Sequence, residues 1–236
     1  MNKESRLFFQ MVRDFLTVYL PKQKASSPNT IESYRTAMNK YLDYSCNELK
    51  IGLDSYTFQH SSRELLEKYL EGMETEGNWS VSSRNQRLAA IRRFYRYAAE
   101  RNPSVMSCYQ EMLLIPVKKE AEREIEFFSE KTLEAILTVP DVSSKKGRRD
   151  LVFMILLYDA GARIQEMLDL RLNDLHISSD EKYVVLTGKG GKTRLVPLMQ
   201  KNVEHLHKYM AEFHRASDGN SFLFYVDRKG CRIQMS

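Results

Sequence analysis

The chain of 236 residues lacks any segment that would direct it to a membrane or hold it there. Its first residues, MNKESRLFFQMVRDFL, mix charged with apolar side chains, which excludes the apolar core of a signal peptide. No later apolar run reaches the ~18 residues that a membrane-spanning helix requires. We therefore expect a soluble, cytoplasmic protein with no membrane partner.

Cysteine is also scarce, and its spacing excludes two common uses of the thiol group. Cys46, Cys108 and Cys231 are odd in number, far apart and without a CxxC pair. This pattern fits neither a disulfide framework nor a zinc site. His205 and His207 lie two residues apart on a predicted helix and so face different ways, which is not a metal-ligand spacing. We expect no bound metal.

Acidic residues are absent from one stretch of the chain. Overall there are 36 Lys and Arg against 31 Asp and Glu, a net charge of +5 that ordinary proteins also carry. The stretch from Gly77 to Ala99 has no acidic residue and contains five arginines: Arg84, Arg87, Arg92, Arg93 and Arg96. Such a basic stripe is typical of a surface that binds DNA phosphates. A basic helix face that is only solvated is the alternative.

Helical periodicity dominates the first part of the chain. Apolar residues recur every three or four positions, which is the spacing of amphipathic helices. We predict that the first helix ends at Pro21, because proline lacks the N–H that a helix interior uses. A later helix is predicted to begin at the cap-type residue Ser62. Residues 1–112 are therefore expected to form a helical DNA-binding domain.

A charge-rich segment without an apolar face follows, and we interpret residues 113–126 as a linker to a second domain over residues 127–236. Early in that domain, residues 141–150 (DVSSKKGRRD) are predicted to form a polar loop. The apolar run LVFMILLYDAG is predicted to be a helix that stops at Gly161.

The hydrophobic period changes at Tyr183. The sequence YVVLTGKGGKTRLVPL places two β-branched runs on either side of a glycine-rich turn, which predicts a β-hairpin. A helix (VEHLHKYMAEF) and a short strand (FLFYV) are predicted after it. Helices around a small antiparallel sheet make the second domain α+β.

Few side chains in the sequence indicate chemistry on their own. Arg163 and Glu166 lie three residues apart at the start of a predicted helix, so they share a face and can form an ion pair. After the glycine at position 161, Arg163 can be held with its fork directed at an anion. Lys189 lies at the tip of the predicted hairpin. A surface ion pair and a solvated turn lysine are the alternatives.

Two segments of the second domain, AGARIQEMLDLRLNDL and VVLTGKGGKTRLVPL, together resemble the tyrosine recombinase (phage integrase) family, which includes the Xer-type resolvases. In the first domain, SPNTIESYRTAMNKYLDY and SSRNQRLAAIRRFYRYA are similar to the SAM-like core-binding domain of that family. The resemblance implies a mainly α protein of two domains, with an N-terminal helical bundle and an α+β catalytic domain.

The resemblance also implies roles for individual residues. Arg163 matches the first catalytic arginine, Glu166 the acidic residue that supports it, and Lys189 the hairpin lysine. The neighbouring Lys192 and Arg194 are expected to contact DNA, like the arginines of the basic stripe. The implied partner is double-stranded DNA, on which family members assemble as tetramers. The implied reaction is DNA strand cleavage and rejoining through a 3′-phosphotyrosyl intermediate, which uses no metal and no cofactor.

One part of the family pattern has no match in the sequence. The family places an HxxR motif and the nucleophilic tyrosine after the strand and turn that correspond to FLFYVDRKG, and the 236 residues contain neither there. HSSR, which begins at His60, lies in the other domain. We therefore expect a C-terminally truncated catalytic domain that does not cleave DNA alone and associates weakly with itself.

Three functions remain open at this point. The first is a recombinase, and the second is a DNA-binding module that occupies recombination sites without cutting them. The third is a helical protein whose basic stripe binds acidic protein partners. The nucleotide sequence beyond codon 236 distinguishes the first two, and DNA binding that weakens steeply with salt separates both from the third.

Overall fold

The computed structural model describes residues 2–120, 127–178, 180–215 and 217–235. Contacts within the chain separate two units, Met1–Glu124 and Ile125–Ser236. No helix within the described ranges is long and apolar enough to cross a membrane. Residues 121–126, which belong to the expected linker, lie outside the described part.

The first unit is helical throughout its regular structure. Serine side chains cap three of its helices: Ser27, Ser62 and Ser80 each accept a hydrogen bond from a backbone N–H three residues on, as the sequence predicts for Ser62. The elements are α1 (Lys3–Asp14), a π-helical segment (Phe15–Gln23), α2 (Pro28–Leu49), α3 (Arg63–Thr75), α4 (Val81–Ala99) and α5 (Met106–Leu113).

The first helix does not end at Pro21, which corrects the sequence prediction. The helical segment Phe15–Gln23 continues through the proline in wider, π-type turns. Wider turns accommodate the proline because hydrogen bonds that span five residues move the crowded carbonyl away from its ring. Phe15, Leu16 and Leu20 are buried in this segment, so packing favours the continued helix.

The core of the first unit is rich in aromatic rings and contains much of α4. That helix packs against α2, α3 and α5. The ring of Phe94 lies 5.7 Å from Phe8 and 5.6 Å from Phe15, in edge-to-face contacts that aromatic pairs favour. The side chains that α4 buries must therefore share the helix with its arginines.

The chain after α5 remains attached to the first unit. Ile115 is fully buried in its core. The side-chain amide of Asn85 on α4 accepts the N–H of Lys118 at 3.1 Å and donates to the carbonyl of Lys118 at 2.8 Å. Residues 113–118, expected to belong to a solvated linker, are thus held on the helical unit by the buried Ile115 and by the paired backbone groups of Lys118. The domain boundary itself stays a prediction.

The second unit combines helices with short antiparallel strands, as expected for the α+β domain. Its helices are α6 (Glu130–Leu137), α7 (Lys145–Ala160), α8 (Ile164–Leu168) and α9 (Gln200–Phe213). Its strands are β1 (Leu175–His176), β2 (Tyr183–Thr187), β3 (Thr193–Pro197), β4 (Tyr225–Arg228) and β5 (Cys231–Gln234). The first three form one sheet in the order β1-β2-β3, and the last two form a hairpin.

The predicted polar loop over residues 141–150 is shorter than expected. Helix α7 begins at Lys145, because the hydroxyl of Ser144 accepts the N–H of Gly147 at 3.0 Å and so caps the helix. Beyond that point α7 runs to Ala160 and stops at Gly161, which confirms the predicted stop.

The predicted hairpin is confirmed as β2 and β3, in a register that runs from Tyr183 opposite Pro197 to Thr187 opposite Thr193. Val184 and Leu186 of β2 are buried in the core of the second unit. Leu186 lies opposite Arg194. Since directly opposed residues point to the same face, Arg194 extends toward the interior rather than away from it.

Candidate active site

Arg163 and Glu166 are brought together by the start of α8. The chain leaves α7 through Gly161, whose φ of +53° lies in the left-handed region that glycine adopts without strain. Arg163 is then the N-cap residue of α8, and its backbone N–H donates to Oε2 of Glu166 at 3.0 Å. A carboxylate in the first turn is favoured there by the helix dipole. The local sequence thus fixes this pair by ordinary capping.

The Glu166 carboxylate is buried, with 4% of its side chain exposed, and it accepts four hydrogen bonds. Oε1 accepts from Nη1 of Arg163 at 2.7 Å and from Nη1 of Arg194 at 3.1 Å. Oε2 accepts from the Arg163 N–H and from Nη2 of Arg194 at 2.7 Å. These bonds occupy the roughly four acceptor positions of a carboxylate.

These donors keep Glu166 ionised. The hydrogen bonds from Arg194 lower the pKa of Glu166 most, followed by the bond from the Arg163 backbone, and together they outweigh burial and bring it to about 2. A carboxylate that is ionised at neutral pH therefore lies between two guanidinium groups.

Arg163 is held on one side and open on the other. Its side chain is 73% exposed, although Nη1 is anchored by Glu166. Within the part of the chain that the structure describes, Nε and Nη2 of Arg163 have no hydrogen-bond partner. A planar guanidinium that is fixed by one edge presents the remaining N–H groups in the geometry that phosphate oxygens bind.

The hairpin turn approaches this pair through Gly188. A β-carbon at this position would lie 2.8 Å from Oε1 of Glu166, so any larger residue would displace the carboxylate from its present place. The Gly188 N–H donates to the carbonyl of Lys192 at 2.8 Å and closes the turn. Lys189 therefore directly follows a residue that contacts the Arg163–Glu166 pair.

The two lysines of the turn, Lys189 and Lys192, are both exposed. Neither has a polar partner among the described residues, so their ammonium groups are available to an anion. Arg194, expected to contact DNA, instead binds Glu166 and is 39% exposed. The alternation of residues along β3 indicates that Arg194 points inward, because Arg194 and the half-buried Val196 share a face of the strand.

The arginines of α4 are not equally accessible. Arg84 is 5% exposed, and its Nη1 donates to the carbonyl of Pro116 at 2.7 Å. Arg92 donates to three carbonyls, at 2.9 Å to Met112, at 3.1 Å to Leu113 and also to Ile115. Burial lowers the pKa of Arg92, with a further contribution from the nearby Arg84.

Arg84 and Arg92, both expected to contact DNA, hold the chain segment after α5 in this structure. Arg84 is buried and cannot reach a phosphate without breaking its bond to Pro116, whereas Arg92 is half-buried. The contact of these two arginines with DNA stays a prediction.

The remaining arginines of the stripe lie nearer the surface. Arg87 donates to the carbonyl of Ser33 at 3.3 Å and lies over the ring of Trp79 at 5.0 Å. Arg93 is half-buried, and its Nε has no partner among the described residues. Arg96 is exposed and pairs with Glu100 at 3.0 Å. Arg93 and Arg96 are thus the arginines of α4 that are free of bonds to backbone carbonyls.

An open groove lies beside Arg93. On a helix, positions 86, 89, 93 and 96 share one face. The groove has a volume of about 310 Å³ and runs between α2 and α4. Its lining is uncharged and mixes polar with apolar side chains: Asn29, Thr30, Ser33, Tyr34, Gln86, Ala89 and Ala90.

Two tyrosines of the second unit are unsuited to nucleophilic attack as they stand. The hydroxyl of Tyr209 donates to the carbonyl of Leu223 at 2.8 Å, and that of Tyr225 donates to the carbonyl of Phe213 at 3.0 Å. Burial raises the pKa of both hydroxyls. No group of three His, Cys, Asp or Glu residues in the described ranges is arranged to hold a metal ion.

Both parts of the chain match known families. Residues 126–235 match the phage integrase family, and residues 13–102 match the phage integrase N-terminal SAM-like domain. The chain is 31% identical over 225 residues to a putative integrase/recombinase, y4rC, of Sinorhizobium fredii, covering 95% of this chain and 67% of that protein. It is 34% identical over 206 residues to tyrosine recombinase XerC of Pelotomaculum thermopropionicum, covering 84% of this chain and 63% of that one.

Solved structures share the fold. The XerH site-specific recombinase, in a post-cleavage complex with palindromic difH substrate, is similar to 98% of this chain with a TM-score of 0.64 and 18% identity, over 68% of its own length. The Tn1549 transposon integrase bound to transposon right end DNA is similar to 94% of the chain with a TM-score of 0.65. With both family matches and these relatives in agreement, the chain belongs to the tyrosine recombinase (phage integrase) family, with a SAM-like helical domain followed by the catalytic domain.

Proposed function

We propose that this chain binds double-stranded DNA and contributes Arg163, Glu166 and Lys189 to site-specific cleavage and rejoining of DNA strands. The observation that carries the proposal is the Glu166 carboxylate, which fixes Arg163 by one edge and leaves the other edge exposed. Structures of family members in complex with DNA support the choice of substrate.

The proposed reaction is a transesterification at a DNA phosphodiester. A tyrosine oxygen attacks phosphorus, the bond from phosphorus to the 5′-oxygen breaks, and a 3′-phosphotyrosyl link and a 5′-hydroxyl result. Arg163 neutralises charge that develops on the nonbridging oxygens, which typically contributes a few kcal/mol to transition-state stabilisation. Lys189 gives a proton to the departing 5′-oxygen, and Glu166 holds Arg163 in place. We assign the attacking tyrosine to no residue of this chain.

We further propose that Arg93 and Arg96 of α4 and Lys192 of the turn contact DNA phosphates, because their cationic groups are free of bonds to backbone carbonyls. By analogy with the family, we propose that the chain associates with itself on DNA and acts in the cytoplasm.

A second candidate is a DNA-binding module that occupies recombination sites without cleaving them. The buried hydroxyls of Tyr209 and Tyr225, both bound to backbone carbonyls, favour it. A nicked duplex that traps covalent intermediates tests this candidate. We expect no denaturant-resistant adduct with this chain, and an adduct on Tyr209, Tyr225 or the exposed Tyr158 would exclude it.

Salt-dependent DNA binding tests the proposed function. The affinity for a duplex of about 30 base pairs is measured over a range of salt concentrations for the wild type, Arg163→Ala and Lys189→Ala. Each variant should bind more weakly, with a log–log salt slope reduced by up to about one per lost phosphate contact. Arg148→Ala is the control, because Arg148 is bound to Glu212 elsewhere in the second unit. Unchanged affinity and slope in both variants would contradict the proposal.

A further inference from the structure

We propose that Arg194 is a positioning residue that couples the hairpin carrying Lys189 to Arg163 through the shared carboxylate of Glu166. The inference rests on the proposed function of Arg163 and Lys189. It assigns Arg194 a role within the protein in place of the DNA contact that the sequence suggests.

The first support is the geometry of the carboxylate. Arg194 contributes two of its four hydrogen bonds, at 3.1 and 2.7 Å, from the two terminal nitrogens of one guanidinium. Such a fork-to-fork pair fixes orientation as well as distance. Because Glu166 is buried, water cannot easily replace Arg194, and the loss of Arg194 would leave the carboxylate free to reorient.

The second support is the position of Lys189 along the hairpin. Gly188 precedes Lys189 and packs against Oε1 of Glu166, whereas Arg194 lies across the hairpin and binds both oxygens of the same carboxylate. The Gly188 N–H also bonds to Lys192, which closes the turn between these two contacts. Lys189 is therefore bracketed by two contacts to one group, and that group also holds Arg163.

The third support is the balance of charge. Arg163 and Arg194 both bind the buried Glu166 carboxylate, and Lys189 and Lys192 lie in the turn that follows Gly188. If Arg194 turned to a DNA phosphate, Glu166 would lose two bonds and Arg163 would lose a fixed anchor. Arg163 and Lys189 are exposed already and need no such rearrangement. The arrangement favours Arg194 as a fixed component behind the two groups that meet phosphate.

Nuclear magnetic resonance of the full chain tests the coupling directly. In Arg194→Ala, the pKa of Glu166 should rise from about 2 toward its ordinary value, and the Arg163 Nε–H signal should shift. The Gly188 amide should exchange about tenfold faster with solvent, because the hairpin loses a charged anchor. Arg194→Lys should restore part of each change, since an ammonium still reaches the carboxylate but with fewer donors.

Arg148→Ala is the matched control. Arg148 is also 39% exposed and also forms a two-pronged pair with a glutamate, Glu212, in the same unit. Its loss should leave the Glu166, Arg163 and Gly188 signals unchanged. If Arg194→Ala does not fold, Arg194→Lys and Arg194→Gln carry the same comparison. Unchanged Arg163 and Gly188 signals in folded Arg194 variants would overturn the inference.

A double-mutant cycle with DNA separates coupling from direct contact. With a duplex of about 30 base pairs as the probe, Arg194→Ala should weaken binding about threefold to tenfold in the wild-type background and less than about twofold beside Glu166→Gln. Equal losses in both backgrounds, with a salt slope lower by about one, would make Arg194 a phosphate contact and overturn the inference.

The two proposals fail in different measurements. If Arg163→Ala and Lys189→Ala bind DNA like the wild type, the proposed function fails. The signals of Arg163 and Gly188 would still report whether Arg194 links the hairpin to α8.

Discussion

Two arginine sites, one in each unit, use the guanidinium group in opposite ways. In the first, Arg84 and Arg92 lie against backbone carbonyls of residues 112–116, and their charge is directed into the protein. In the second, Glu166 binds Arg163 at one nitrogen of its side chain and leaves 73% of that side chain exposed. A local excess of positive charge therefore does not identify a binding surface. The role of each guanidinium depends on whether it binds a carbonyl or a carboxylate. It also depends on how many of its N–H groups remain without a partner.

The largest effect is expected on the rate of DNA cleavage when Arg163 or Lys189 is replaced. The assay uses residues 1–235 joined to the C-terminal segment of a family member, which supplies HxxR and a tyrosine. We expect this fusion protein to cleave DNA. Arg163→Ala and Lys189→Ala should each lower the cleavage rate by about 10²–10⁴-fold. With sulfur in place of the bridging 5′-oxygen, the leaving group needs no proton, so only Lys189→Ala should recover most of its rate.

The readout is the single-turnover cleavage rate on oxygen and sulfur substrates, with Arg148→Ala as a variant outside the site. If Arg163→Ala and Lys189→Ala recovered their rates equally on the sulfur substrate, the assignment of Lys189 as the proton donor would be wrong. If Lys192→Ala rather than Lys189→Ala recovered its rate on the sulfur substrate, the proton donor would be Lys192.

The next effect concerns stability in the first unit. Arg92→Ala removes three hydrogen bonds to carbonyls and should lower the free energy of unfolding by about 2–3 kcal/mol, because charged donors to partly buried carbonyls are costly to lose. Arg96→Ala, which removes an exposed pair with Glu100, should leave it nearly unchanged. Urea unfolding of both variants checks this, and similar losses would mean that the two arginines are equivalent.

A smaller effect is expected for DNA binding by the same helix. Arg93→Ala and Arg96→Ala should each reduce the slope of log affinity against log salt by up to about one. Arg84 is buried, and its conservative replacement Arg84→Lys should leave the slope unchanged. Titration of a fluorescent duplex at several salt concentrations provides the measurement. If Arg84→Lys alone reduced the slope, Arg84 would contact DNA phosphates, and Arg93 and Arg96 would not.

The last effect is a dependence of stability on pH. The pKa of Glu166 is depressed in the folded chain to about 2 from an ordinary 4.5, so its ionisation stabilises the fold fully above about pH 4.5. That contribution is lost as the pH falls toward 2. The difference in unfolding midpoint between the wild type and Glu166→Gln should be constant from pH 8 to 5 and shrink below 4.5. Glu204→Gln, on the exposed side of α9, is the control, and a gap that shrinks at neutral pH would contradict the assignment.

Much of the fold follows from local patterns. The serine cap of α3, the stop at Gly161 and the hairpin over β2 and β3 are all readable, because capping, left-handed glycine and strand alternation depend on neighbouring residues. The continuation of the first helix through Pro21 is not, since the burial of Phe15 and Leu20 against distant helices outweighs the local preference.

The site is readable to a similar extent. Arg163 and Glu166 lie within one turn, so their pairing follows from spacing. The third partner, Arg194, lies 28 residues beyond Glu166, and helical periodicity cannot show which carbonyls will meet Arg84. Partners of this kind are set by tertiary packing. The contacts of a long side chain such as arginine depend on tertiary packing more than those of a short side chain do.

The contact between Asn85 and Lys118 has a practical consequence for dividing the protein. A fragment of the helical unit that ends at residue 112 would leave Arg84 without its carbonyl partner and expose the core site of Ile115. A fragment that ends after Lys118 keeps both hydrogen bonds of the Asn85 amide and the carbonyl partners of Arg84 and Arg92. Limited proteolysis should accordingly cut C-terminal to Lys118 before it cuts between α5 and that residue, and the autonomous folding unit should end there.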